Sequence, residues 1–166
     1  VDTYGAVDLS VSDVRLFTPN IAPTSITLNN SKVDENVPNL FISGITGSDP
    51  DGDQLTYTIV EGLGDDAMFM VTDNAQLFLD YNVSANYENK SQLEVTLRAT
   101  DHVGLYTEQL FTIDVNNINE APTSISIDNL SVSENLSGGF IANISGIDPD
   151  GDNLTYSVLS AHDGEM

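Results

Sequence analysis

The sequence predicts an all-β fold, a seven-stranded Greek-key β-sandwich of the immunoglobulin-like kind, built in tandem repeats of 99 residues. Three observations predict it. The hydrophobic period is two nearly throughout, turn-forming clusters punctuate the chain, and the sequence copies itself at a fixed offset. Seven or so short strands in about 100 residues are what a two-sheet Greek-key sandwich requires.

The repeat sets the organisation. APTSITLNNSKVDEN from Ala22 returns at Ala121 as APTSISIDNLSVSEN, and the offset holds at 99 through GSDPDGDQLTY (47–57) and GIDPDGDNLTY (146–156). A weaker echo runs back to the N-terminus, where VDTYG matches TDHVG (100–104) and NIAPTSI matches NEAPTSI. The chain therefore reads as the tail of one repeat (1–21), a whole repeat (22–120) and the first half of a third (121–166). Half a sandwich leaves apolar faces and strand edges uncovered, so 121–166 is expected to be disordered or to borrow strands from another copy.

Within the whole repeat, Leu55, Tyr57 and Ile59 alternate with Thr56 and Thr58. Leu93, Val95, Leu97 and Ala99 alternate with Glu94, Thr96 and Arg98, and Phe111, Ile113 and Val115 with Thr112 and Asp114. Each run has one dry and one wet face. DPDGD, EGLGDD and TDNA are turn signals between runs, and no apolar 3.6-residue pattern lasts long enough for a helix of any length. Tyr57, Tyr156, Phe41, Phe140 and Phe111 fall on positions that look inward, Met68, Phe69 and Met70 read as core, and Tyr81, Tyr87 and Tyr106 are left as surface aromatics.

Composition narrows the function classes. Hydrophobic residues make up 40% of the chain, enough for a core, yet no stretch approaches the roughly 20 apolar residues of a membrane helix and no leader-like segment is visible. The visible chain thus reads as soluble, without membrane insertion. With 26 acidic residues against 4 basic ones, the net charge is -22. Phosphate backbones and anionic membranes are recognised through Lys and Arg, so nucleic acid is excluded as a partner and cations are the natural ones. There is no cysteine, hence no disulfide, thiolate metal site or Cys nucleophile.

The acidic loops carry the chemistry. In DPDGD alone, Asp and Gly are what a tight turn prefers. Calcium also takes six to eight hard oxygen ligands, and carboxylates at alternate positions of a tight loop can converge on one ion. The register is not that of an EF-hand, since no glutamate follows at the twelfth position. Beyond the loops, VDEN (33–36) and VSEN (132–135) put a glutamate near the top of the first strand. NYEN (86–89) puts Glu88 just before a strand, ATD (99–101) ends that strand, and NNINEAP (116–122) forms the linker.

Together and in this order these elements resemble the cadherin repeat, with its Pro-Glu-Asn, Leu-Asp-Arg-Glu, Asp-x-Asp, Ala-x-Asp and Asp-x-Asn-Asp-Asn-Ala-Pro motifs. DPDGDxLTY and NEAP look more like the cadherin-like repeats of large bacterial surface proteins than like animal junction cadherins. The resemblance implies calcium between successive repeats. At the junction after the whole repeat it assigns Glu35 and Glu88 from above, Asn117, Asn119 and Glu120 from the linker, and Asp148 and Asp150 from below. Two carboxylates about 4 Å apart repel by roughly 4 kcal/mol at an effective dielectric near 20, so five converging acids need cations or must splay apart. Asn117 and Asn86 stand where the family has aspartates, and the linker is a residue shorter than the animal form, which implies fewer or weaker ions. At the other junction Asp49, Asp51 and Asp101 face TPNIAP, where Ile21 replaces Glu120 and only Asn20 remains, so partial occupancy is expected there. Asp53 and Asp152 are expected to cap their turns rather than bind metal.

Other chemistries fit less well. His102 and His162 are the only imidazoles, both in predicted loops without a Ser or Cys partner, so no catalytic set is expected. The Asn-x-Ser/Thr triplets at Asn82, Asn89, Asn129, Asn135, Asn143 and Asn153 matter only in a glycosylating secretory pathway. The sequence therefore points to a non-catalytic, extracellular or cell-surface module that binds calcium and serves cell adhesion or acts as a stiffened spacer. A carbohydrate-binding module that tethers a cell or enzyme to polysaccharide is the alternative, and a homodimer through the incomplete repeats is a further expectation.

Overall fold

The computed structural model describes residues 18–135 and 137–159. These residues form ten strands: β1 (Ser25–Leu28), β2 (Lys32–Asp34), β3 (Phe41–Ser48), β4 (Thr56–Ile59), β5 (Phe69–Thr72), β6 (Gln76–Leu79), β7 (Gln92–Thr100), β8 (Tyr106–Asn116), β9 (Ser124–Ile127) and β10 (Ile144–Ile147). A three-residue 3₁₀ turn at Asp66–Met68 is the only helical element among them. No helix among the described residues is long and apolar enough to cross a membrane. His162 and residues 1–17, the greater part of the expected N-terminal repeat tail, lie outside the described residues.

The first eight strands make two four-stranded sheets, ordered β1-β3-β6-β5 and β2-β8-β7-β4. Eight rather than seven strands appear because the first one is broken. Backbone N–H groups of Asn29 and Asn30 donate to Ser43 Oγ (2.8 and 3.1 Å), and Asn30 Nδ2 donates to the carbonyls of Lys32 and Ile42 (2.8 and 2.9 Å). This polar knot lifts the chain off β3 and delivers it to the other sheet, where β2 runs parallel to β8. Both sheets are thereby stitched along one side.

Between the sheets, Ile26, Ile42, Leu77 and Leu79 face Leu93, Val95, Leu97 and Ile113, all at most 2% exposed. The alternation read in β7 holds, with Leu93, Val95, Leu97 and Ala99 inside, although Thr96 is buried as well. Phe41 does not look inward: it is 49% exposed and packs edge-on against Phe78. The register of β3 against β6 shifts between Phe41 and Ser43, so that the consecutive Ile42 and Ser43 are both buried and the phase of the strand is reversed at Phe41. Phe69 is buried, Met68 packs partly against the core, and Tyr81 and Tyr106 are exposed as expected.

Residues 121–159 repeat part of this layout. β9 and β10 pair with the register of β1 and β3 displaced by 99 (Ser124↔Ile147 for Ser25↔Ser48), and Asn129 Nδ2 reaches the carbonyls of Ser131 and Ile141 as Asn30 reaches those of Lys32 and Ile42. Yet Ile125, Phe140 and Ile141, the counterparts of Ile26, Phe41 and Ile42, are exposed, and so is Tyr156. Tyr156 was expected inside, but among the described residues no second sheet lies over this pair; Phe140, also expected inside, is exposed as its counterpart Phe41 is.

Candidate metal centre

The site grows from two turns of one design. Asp49 Oδ1 accepts the N–H groups of Asp51 and Asp53 (2.8 and 3.3 Å), and Asp148 Oδ1 those of Asp150 and Asp152 (3.1 and 3.3 Å). Gly52 and Gly151 take φ of 79° and 74°, which a side chain would resist. The first aspartate thus builds the turn, and the next one points outward to the linker above it. Asp51 Oδ2 accepts the N–H of Ile21 (2.7 Å), and Asp150 Oδ2 accepts that of Glu120 (2.6 Å).

At the second of these turns four carboxylates meet. Glu35, Glu88, Glu120 and Asp150 each bring an oxygen within 4.8 Å of the others. Glu35, at the exit of β2, is 1% exposed; its two oxygens accept the N–H groups of Tyr87 and Ile118 (2.8 Å each). One buried carboxylate so ties the loop before β7 to the linker after β8, and those hydrogen bonds offset its desolvation. The following Asn36 adopts φ of 63° and its Nδ2 donates to Glu120 Oε1 (2.9 Å). Glu120 Oε2 and Asp150 Oδ1 are buried with no hydrogen-bond partner. At Glu88 its own backbone N–H pulls the carboxyl pKa down, but desolvation and the charges of Glu35, Glu120 and Asp150 outweigh it and hold the value above the usual carboxylate range. Two unpartnered oxygens amid mutual repulsion fit a hard cation: carboxylate is calcium's preferred ligand, and among the described residues no Lys, Arg or His forms an ion pair with these four acids.

A second group forms at the first turn, where oxygens of Asp49, Asp53 and Asp101 lie within 4.8 Å of one another. Asp101 is 6% exposed. Burial raises its pKa, but N–H groups of Leu105, Val103 and Gly104 on Oδ1 and the Asn20 amide on Oδ2 (2.7 Å) lower it further, for a net shift downward. Asp49 Oδ2 is buried without a partner. Asp53 also takes a contact of 2.8 Å from His102 Nδ1.

The assignment by resemblance is matched unevenly. Glu35, Glu88, Glu120 and Asp150 come together, whereas Asp148 stays within its turn, and Asn117 and Asn119 are exposed, with Asn119 Nδ2 on the Glu120 carbonyl (3.1 Å). At the first turn Asp49 and Asp101 come together, but Asp51 is held by Ile21 and Asp53, given no ligand role from the sequence, stands in the group instead. Asn36 was also missed. The signals were present: Asp53 is the third acid of DPDGD, and Asn36 is the last residue of VDEN.

No known family profile and no curated protein sequence matches the chain. Solved structures do. Human protocadherin-24 EC1-2 (form II) superposes with a TM-score of 0.62 at 22% identity, over 78% of this chain and 62% of that one. The fold is that of cadherin ectodomains. Protocadherin gamma B7 extracellular cadherin domains 1-4 give 0.55 at 20% identity, over 77% of this chain and 34% of that one. The chain spans less than two thirds of the structures it matches, and at these identities the likeness concerns the fold. Within that cadherin fold, the acid clusters belong to the loops and linkers at the ends of strands.

Proposed function

We propose that this chain is a calcium-binding, cadherin-like module of a multi-repeat extracellular protein, in which each repeat is a Greek-key sandwich of 99 residues with the whole copy at 22–120. Its role is adhesion, or spacing by a calcium-stiffened rod. The observation that carries this reading is the convergence of Glu35, Glu88, Glu120 and Asp150 with two buried oxygens lacking a partner. When bound, calcium supplies the charge that lets these acids stay together. The protein's part is to preset them: Glu35 fixes two loops, Asn36 steers Glu120, and the Asp148 turn aims Asp150 at the linker. Folding of the junction and cation binding are therefore linked.

Calorimetric titration with calcium tests this directly. The wild type is expected to bind with an accompanying rise in melting temperature. D150A is expected to lose the tighter binding event and most of that rise, and D148A to weaken both by loosening the turn. No calcium heat in the wild type, or an unchanged shift in D150A, refutes the assignment.

A further inference from the structure

We propose that the cleft between the free edges of β4 and β5 takes an extended, lysine- or arginine-bearing peptide strand from another protein. Among the described residues β4 pairs only with β7, and β5 only with β6. Val60 N–H donates to the Thr96 carbonyl, so strand alternation turns the backbones of Tyr57 and Ile59 away from β7. Asp80 N–H donates to the Met68 carbonyl, which by the same rule turns those of Phe69 and Val71 away from β6. The side of the sandwich opposite the β1–β2 crossover thus presents two unpaired edges.

Two openings of about 670 and 570 Å³ lie along these edges and adjoin at Tyr57, Thr58 and Val71, which line both; together they make up the cleft. Its walls are half-buried Tyr57, Ile59 and Val71, and Thr72 Oγ1 lies buried there without a partner. A row of alternating apolar contacts beside free backbone groups is what strand addition uses. Charge chooses the occupant. Glu61, Asp66, Asp73 and Asp80 line the cleft, and among the described residues no Lys or Arg does. A second copy is a poor source of such a strand, because the chain has 4 basic residues, of which Lys90 and Arg98 are engaged by Asp65 and Glu108.

The test uses the whole chain with saturating calcium and three blocked peptides: a Lys-Val repeat, a Lys-Pro repeat of equal charge that cannot donate strand hydrogen bonds, and a Glu-Val repeat. Amide chemical shifts and calorimetry are read together. The Lys-Val peptide is expected to bind about tenfold more tightly than either control, which is a difference of about 1.4 kcal/mol. Its shifts should fall on 56–60 and 69–73. Ile59→Pro removes one cleft-facing N–H and should weaken binding. Should that variant fail to fold, the double charge reversal E61K/D73K, at exposed positions, is expected to weaken it about tenfold as well. Equal binding of Lys-Val and Lys-Pro, shifts outside the two edges, or full affinity in E61K/D73K overturns the proposal.

Discussion

Glu35 and Glu88 carry the same functional group a few ångströms apart, and their neutral isosteres should act in opposite directions. Glu35 accepts two backbone N–H groups in a buried setting, and Gln can accept only one of them, so E35Q leaves a buried donor unmet. E35Q is expected to cost about 1–3 kcal/mol even without calcium, as measured by denaturant unfolding in chelator. Glu88 gives its neighbours only repulsion in the metal-free protein. Its folded pKa is raised, so between the ordinary value and the raised one the folded state holds more protons than the unfolded state. Metal-free stability from this group is therefore highest at low pH and falls as pH rises through that window. E88Q removes the penalty: it should raise the metal-free melting temperature at neutral pH and flatten its pH slope, while weakening calcium. A lowered melting temperature in E88Q would contradict the repulsion account.

At the scale of elements, the loop GxDPDGDxLTY contains two kinds of glycine. Gly52 is needed for its positive φ but has open space around it, whereas a Cβ at Gly47 would lie 2.8 Å from the Ser25 carbonyl oxygen, 2.8 Å from Leu55 Cδ1 and 2.9 Å from the Tyr57 hydroxyl. The backbone oxygen belongs to the paired β1 and cannot swing away. G47A should therefore cost about 1–3 kcal/mol by forcing β1 or the Leu55–Tyr57 pair outward, and G52A about 1 kcal/mol from backbone conformation alone. Equal losses in thermal unfolding would argue against the steric account. Gly146, with Leu154, Ser124 and Tyr156 around it, repeats the packing. This is why the long repeat was legible: the loop, its glycine and its covering Leu-x-Tyr form one unit that must be copied whole. Period two likewise sufficed for β7, where the alternating apolar residues are all inside. It failed at Phe41 because a bulge is a change of phase that no alternation displays, and it missed the β1–β2 break because that depends on Asn30 reaching Ile42 across the sheet. That Asp53 would stand beside Asp49 and Asp101 was illegible for a similar reason. Its membership of the Asp49–Asp101 group arises from the end of β7, far away in sequence.

At the scale of the whole molecule, the charge of -22 raises the question whether calcium acts at a site or merely as counterion. The two mechanisms differ in range. Exposed charges more than about 10 Å apart are screened by 0.1 M salt of any kind, whereas oxygens within 4.8 Å that are partly buried are screened much less. Sodium chloride should therefore relieve the diffuse repulsion of the surface without replacing calcium at Glu35, Glu88, Glu120 and Asp150. Small-angle scattering is the suitable measurement, because it reports extension directly. In chelator at low salt the chain should sample a broad range of dimensions; adding about 0.3 M sodium chloride should contract the ensemble modestly. Millimolar calcium should instead narrow it to one extended form, and D150A should respond to salt like the wild type but lose the calcium response. Identical scattering curves with salt and with calcium would reduce the cluster to an ordinary acidic surface and leave the stiffened rod without a mechanism.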